Sequence, residues 1–334
     1  MRTYLTSIAC LLTALCITSC ADHQKIVPTP TLSISPFATG LVGPIGVGID
    51  PTGRVFVSES GTGKNDSRIM LVAADGKTYP LVTGLPSVIS PGGEPGGTDH
   101  LLYADGLLYA LNNGFLYKIN VAGFQPGNPP IAVAGIAKED IATWVVNYNF
   151  VNDTGESHPY NMITGPDGAI YITDAAANAI LRRSKTGQLS VMTEVPGFAN
   201  PTPVGPPVVQ SVPTGITYDG SKFLISTLLG FPFPSGKAIL YQMDLTGKLT
   251  IQKQVFNPLV DVEVDGNGGA LTLEYGTFGQ MGWNANTGRL LRSNSTGDVM
   301  LFDKLNQPTD LKLYGNNTAY LVIYGDGTLQ KVTF

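Results

Sequence analysis

Leu329-Gln330-Lys331-Val332-Thr333-Phe334 ends the chain as a strand with no turn after it, and Ser35-Pro36-Phe37-Ala38-Thr39-Gly40-Leu41 stands near the other end as a strand with no repeat before it. The N-terminal segment has the pattern of Tyr79-Pro80-Leu81-Val82-Thr83-Gly84-Leu85, which follows the Asp75-Gly76 turn inside the chain. Each end supplies what the other lacks. Joining residues 32–39 to residues 329–334 completes a sixth repeat, and a ring closed in this way exposes no unpaired sheet edge.

Working outward, a Gly-anchored alignment gives six copies of one central strand: Arg54 to 59, Leu107 to 112, Ala169 to 174, Ser221 to 226, Gly269 to 274 and Thr318 to 323. A shorter apolar strand precedes each, at Ile45-Gly46-Val47, His100-Leu101, Asn161-Met162-Ile163, Gly215-Ile216, Asp261-Val262 and Asp310-Leu311. The two are separated by about 11 to 13 residues, and the repeat period is roughly 50, as in propeller blades. Third strands such as Ile180-Leu181-Arg182-Arg183 and Ile239-Leu240-Tyr241-Gln242 follow, then turns at Asp75-Gly76, Thr186-Gly187, Thr246-Gly247 and Thr296-Gly297. Such turns take the positive φ that a tight hairpin needs. The 40 Gly and 24 Pro fall mostly in turns between strands dense in Val, Ile, Leu, Phe and Tyr, which argues for many short strands and against disorder. The expected fold is an all-β, six-bladed β-propeller over residues 31–334, closed by the N-terminal strand. One helix is expected, over residues 137–148, where Ile141, Trp144, Val145 and Tyr148 follow helical spacing.

Met1-Arg2 and an apolar stretch to Ile17 have the layout of a signal peptide and are too short to span a bilayer. Ile17-Thr18-Ser19-Cys20 resembles the bacterial lipobox, which implies a signal peptide over residues 1–19 and lipidation of Cys20. Residues 20–30 then form a polar tether reaching roughly 35 Å when extended. Acyl chains, at about 0.8 kcal/mol per buried methylene, would hold the chain stably. The expectation is an exported monomer lipid-anchored to a bacterial membrane, periplasmic or at the cell surface. With Cys10 and Cys16 lost with the signal, no disulfide can form, and the core must supply the stability. A net charge of −5 without basic clusters argues against nucleic acid as a partner.

His158-Pro159-Tyr160-Asn161-Met162-Ile163-Thr164-Gly165-Pro166-Asp167-Gly168, running on to Asp174, Asn178 and Arg182, then Pro213-Thr214-Gly215 and above all Gly230-Phe231-Pro232-Phe233-Pro234, carry a resemblance to the ScyD/ScyE family of β-propellers. It extends over nearly all of the chain after the tether and implies the propeller fold; the family has no established activity. A fainter likeness runs to gluconolactonase-type propellers. That likeness implies a divalent metal in the central channel, but Pro44-Ile45-Gly46, Pro213-Thr214-Gly215 and Pro308-Thr309-Asp310 stand where those enzymes often show Pro-Asn-Gly or Pro-Asp-Gly.

In a propeller the first strand of each blade lines the channel. The equivalent position reads Gly46, His100, Asn161, Gly215, Asp261 and Asp310. His100, Asn161, Asp261 and Asp310 can hold Ca²⁺ or Mg²⁺, or place an acid and a base around a small polar molecule. Alternatively, the four satisfy one another in a solvated channel. A second ring reads Glu59, Asn112, Asp174, Ser226, Glu274 and Ile323, and its acidic and amide members are expected to brace loops by accepting backbone hydrogen bonds. Asp99 and His158 flank the first ring as loop-capping groups. The long loops at residues 228–237 and 275–287 place Phe231, Phe233 and Trp283 on one face, to stack on a ligand, to bind a protein partner, or to cover the neighbouring blade. There is no Gly-x-Ser-x-Gly, and the mature chain has no free Cys. Two readings follow: a membrane-anchored propeller without catalysis that binds a small molecule or protein on its loop-rich face, or a metal-dependent lactonase, hydrolase or lyase working in the channel.

Overall fold

The computed structural model describes residues 32–90, 93–266, 269–294 and 297–334; the expected signal peptide, Cys20 and tether lie outside the described residues. The chain from Thr31 onward is one compact unit. Six antiparallel sheets, each with four blade strands, succeed one another as blades. From the inner strand outward, blade 1 is Pro44–Ile49, Val55–Glu59, Ser67–Val72 and Thr78–Leu85. Blade 2 is Thr98–Ala104, Leu107–Asn112, Phe115–Ile119 and Ala137–Asp140. Blade 3 is Pro159–Thr164, Ile170–Asp174, Ala179–Arg183 and Leu189–Glu194, and blade 4 is Pro213–Tyr218, Phe223–Thr227, Ala238–Met243 and Leu249–Phe256. Blade 5 is Leu259–Val264, Ala270–Glu274, Gly288–Asn294 and Gly297–Leu305.

Blade 6 takes Pro308–Tyr314, Thr318–Ile323 and Thr328–Thr333 from the C-terminus and its outer strand, Ser33–Thr39, from the N-terminus. Ser33 lies opposite Thr333 and Thr39 opposite Thr328, so the closure expected from the two chain ends is realised. The core consists of six clusters, one between each pair of neighbouring blades. The cluster joining blades 6 and 1 packs Ala38, Tyr320, Val322 and Leu329 of blade 6 against Val47 and Val57 of blade 1. Alternation along each strand sends one set of side chains to the preceding blade and the other to the following one.

The expected helix over residues 137–148 is corrected. Ala137–Asp140 is the outer strand of blade 2, and only Ala142–Val146 is helical. Phe115–Ile119 needs an outer partner, and Ala137–Asp140 pairs with it; Glu139 reaches Lys118 on the same blade and Arg183 on blade 3, while Lys138 lies 4.0 Å from the Phe115 ring centre. Sheet pairing outweighs a weak helical period. The preceding insertion adds Ile131–Ala132 as a parallel fifth strand on blade 1.

All six inner strands start on one face. In blade 6, Pro308 pairs with Ile323, Ile323 with Thr328 and Thr328 with Thr39, so these four ends share that face and Ser33 lies at the other. Each inner strand also carries a β-bulge just after its start. A bulge re-aims adjacent side chains, and here it separates two layers of the channel.

Candidate functional site

Registers place Gly46, His100, Asn161, Gly215, Asp261 and Asp310 at equivalent positions, each two residues after the first paired residue of its inner strand and within or directly after the bulge. Their surroundings are not those of an open site. His100, Asn161, Asp261 and Asp310 are all buried. Asp310 Oδ2 accepts the Val47 amide at 2.6 Å, and Asp261 Oδ2 accepts the Leu311 amide at 2.9 Å, so each carboxylate satisfies the bulged strand of the next blade. Asn161 donates to Asp261 at 3.3 Å and accepts the Met162 amide. His100 Nδ1 lies 2.9 Å from the Tyr160 carbonyl, which can only accept, so Nδ1 carries the proton.

Burial, reinforced by the neighbouring Asp310, holds the Asp261 carboxyl well above the usual range. Burial also raises Asp310, to about 6. The His100 imidazole is pushed down by burial and stays neutral. His100 Nε2 and Asp310 Oδ1 face each other at 3.7 Å without a hydrogen-bond partner. Ca²⁺ and Mg²⁺ require about six or more oxygen ligands. Here most oxygens already accept amide protons, and among the described residues no three His, Cys, Asp or Glu side chains are grouped to hold a metal. The donor set does not fit a hard cation.

The two glycines of this level have a packing role. A Cβ on Gly46 would lie 2.7 Å from the His100 Cα, and one on Gly215 would lie 2.6 Å from the Asp261 Cα. The inner strands of blades 1 and 2, and of blades 4 and 5, can approach so closely only at glycine.

One residue earlier along each inner strand lies the layer that lines a cavity. Ile45, Asp99, Tyr160, Thr214, Val260 and Thr309 form the floor of a cavity of about 300 Å³ on the loop-rich face. Its walls include His158, Tyr275, Trp283 and Tyr324, with Ser90 and Glu94 at one side. His158 Nε2 lies 3.0 Å from Asp99 Oδ2. The Asp99 charge outweighs partial burial and pushes the imidazole up to about 9, so His158 is a cation at neutral pH, with its side chain half exposed to the cavity. Asp174 fixes the loop beneath: its carboxylate accepts the His158 amide at 2.8 Å and the Ala177 amide at 2.9 Å, and it takes a hydrogen bond from Ser157. Tyr160 stands edge-on between the rings of His158 and His100, at 5.8 and 4.5 Å.

Asp99 and His158, expected as flanking caps, are thus the charged pair of the cavity, and the ring formed by His100, Asn161, Asp261 and Asp310 lies in the layer beneath. The bulge decides which neighbour lines the cavity. Trp283 lines the cavity, whereas Phe233 packs behind it at 4.8 Å and Phe231 lies further out, 46% exposed. Phe278 joins them, 4.8 Å from Phe233 and 5.1 Å from Trp283. The bracing ring behaves as expected at Glu59, Asp174 and Glu274, which accept the amides of Val42, His158 and Asn257. In blade 4 its member is Thr227, opposite Pro213, in place of Ser226. Thr227 accepts the Ile239 amide, and Ser226 accepts the Gly215 amide instead.

No family model matches the chain. A search of the curated proteins also finds no match. Among solved structures, the PQQ-bound aldose sugar dehydrogenase of Streptomyces coelicolor is similar with a TM-score of 0.59 at 16% identity, covering 92% of this chain and 99% of that one. A virginiamycin B lyase from Staphylococcus aureus, a catalytically inactive variant with quinupristin, gives 0.54 at 16% identity over 92% and 100%. A gluconolactonase from Xanthomonas campestris gives 0.55 at 11% identity over 90% and 89%. At these identities the likeness establishes the propeller fold alone.

Proposed function

We propose that this chain is an exported, membrane-tethered β-propeller of the ScyD/ScyE type that captures a small molecule in the cavity at the mouth of its channel. The observation that carries this reading is the cavity itself: aromatic walls at Tyr275, Trp283 and Tyr324 and the Tyr160 ring in its floor accompany one oriented charged pair, Asp99 and His158. Apolar walls with a few convergent polar groups are what a small-molecule site requires. The metal-dependent version of the enzymatic alternative has no open donor set among the described residues to support it.

A second reading, an enzyme of hydrolase, lactonase or lyase type, is favoured by the His158 imidazolium. Facing the cavity and held by Asp99, it is protonated at neutral pH, the state of a general acid able to protonate a leaving group. The similar structures of a gluconolactonase and a virginiamycin B lyase support the same alternative.

Binding is tested by screening a metabolite library for compounds that raise the melting temperature of the wild-type protein. A hit should lose affinity by about tenfold or more in Trp283→Ala or Tyr160→Ala, since an aromatic anchor in a pocket is worth about 1.4 kcal/mol or more. Hits indifferent to both substitutions, or no hit at all, would count against the cavity as the site. Turnover of a hit that disappears in His158→Gln while binding persists would select the enzymatic reading.

A further inference from the structure

Three of the side chains lining the cavity are charged: Glu94, Asp99 and His158. Asp99 and His158 neutralise each other at 3.0 Å. Glu94 is left, and no lysine or arginine lines the cavity among the described residues. Its backbone is held on a short hairpin, Val88–Ile89 with Pro95–Gly96, in which the Ser90 amide donates to the Glu94 carbonyl at 2.8 Å and Ser90 Oγ accepts the Glu94 amide at 3.2 Å. Tyr275 and Trp283 meet edge to face with centres 4.8 Å apart, and both are half-buried, as is Tyr324. Burial, and after it the Glu94 charge, pushes the hydroxyls of Tyr275 and Tyr324 up, so that charge is felt at both rings.

We propose that Glu94, Tyr275, Trp283 and Tyr324 form a subsite for an organic ammonium group, which makes the ligand of the cavity a cation. This rests on the small-molecule reading above and narrows it to a ligand class. Aromatic faces attract a cation through their quadrupoles, most strongly where water is partly excluded. An uncompensated carboxylate at the rim adds a charge that neither a neutral nor an anionic ligand would use. A bare metal ion would gain little here, because Glu94 and two tyrosine hydroxyls fall short of the six or so oxygen ligands it requires.

The test uses choline and its neutral isostere 3,3-dimethylbutan-1-ol as probes, followed by calorimetry and by Trp283 fluorescence in a Trp144→Phe background. Choline should bind about tenfold more tightly than the isostere, a preference of about 1.4 kcal/mol. Glu94→Gln should erase that preference at an unchanged melting temperature, Glu94→Asp should keep part of it, and Tyr324→Leu should weaken choline more than the isostere. Equal binding of the two probes, or a preference that survives Glu94→Gln, would overturn the inference. If neither probe binds while a screened compound binds in the cavity, the ammonium subsite is wrong and the small-molecule reading stands. If nothing binds, both fall.

Discussion

Asp99 and His100 are neighbours in sequence, yet one faces the cavity and the other is sealed in the ring beneath. Their titrations should differ accordingly. Asp99 holds the His158 pKa at about 9, above the ordinary 6.5. In Asp99→Asn the His158 ring resonances, followed by NMR, should titrate near the ordinary value, and an unmoved midpoint would remove Asp99 as the cause. A raised folded-state pKa favours the protonated form, so this stabilisation is full below the ordinary pKa and lost as pH climbs through about 9. Asp310 obeys the same sign for a different reason. Its carboxyl is raised to about 6, chiefly by burial, so its protonated form stabilises the fold in acid and that contribution is lost as pH rises through about 6. Between pH 5 and 7, Asp310→Asn should show a flatter melting-temperature profile than the parent. Parallel profiles would contradict the assignment.

At the level of elements, the inner strands are where blades meet, and the ring glycines set how closely. Gly46→Ala brings a Cβ to 2.7 Å from the backbone of His100, which cannot swing aside, so a loss of about 1–3 kcal/mol is expected in denaturant titration. An unchanged midpoint would show that the strands can part at no cost. The outer strand Ser33–Thr39 is the other sensitive element: Ala38, buried against the core joining blades 6 and 1, and the pairing with Thr328–Thr333 both disappear on deleting residues 32–40. That deletion should expose the Thr328–Thr333 edge and end soluble, cooperative unfolding. A soluble variant melting at the parent temperature would reject the closure as a source of stability. Central strands were legible because each is an apolar run bounded by turns. The outer strand of blade 2 was not, because Ala137-Lys138-Glu139-Asp140 is polar and becomes a strand through ion pairs and an aromatic contact supplied by other strands.

For the whole molecule, the direction of the closing strand matters. Ser33 lies at the face opposite the cavity, so the closing strand enters blade 6 from that face and ends at Thr39 on the cavity side. Cys20→Ala should shift the protein from the membrane to the soluble fraction, since no described helix is long and apolar enough to cross a bilayer. Persistence in the membrane fraction would refute the lipid anchor.

The sequence alone determined the blade count, the strand order and the closure of the ring, because turn chemistry, apolar runs and a repeat of constant period are local signals that survive without coordinates. It also placed six equivalent channel positions correctly along the strands. Which residue of each pair lines the cavity was decided by tertiary structure, since a bulge in every inner strand turns Asp99, Tyr160 and Thr309 to the cavity and His100, Asn161 and Asp310 into the layer below. The pairing of Asp99 with His158, 59 residues apart in the chain, exists only because blades 2 and 3 stand side by side, and no spacing rule in a single chain encodes the contact of two neighbouring blades.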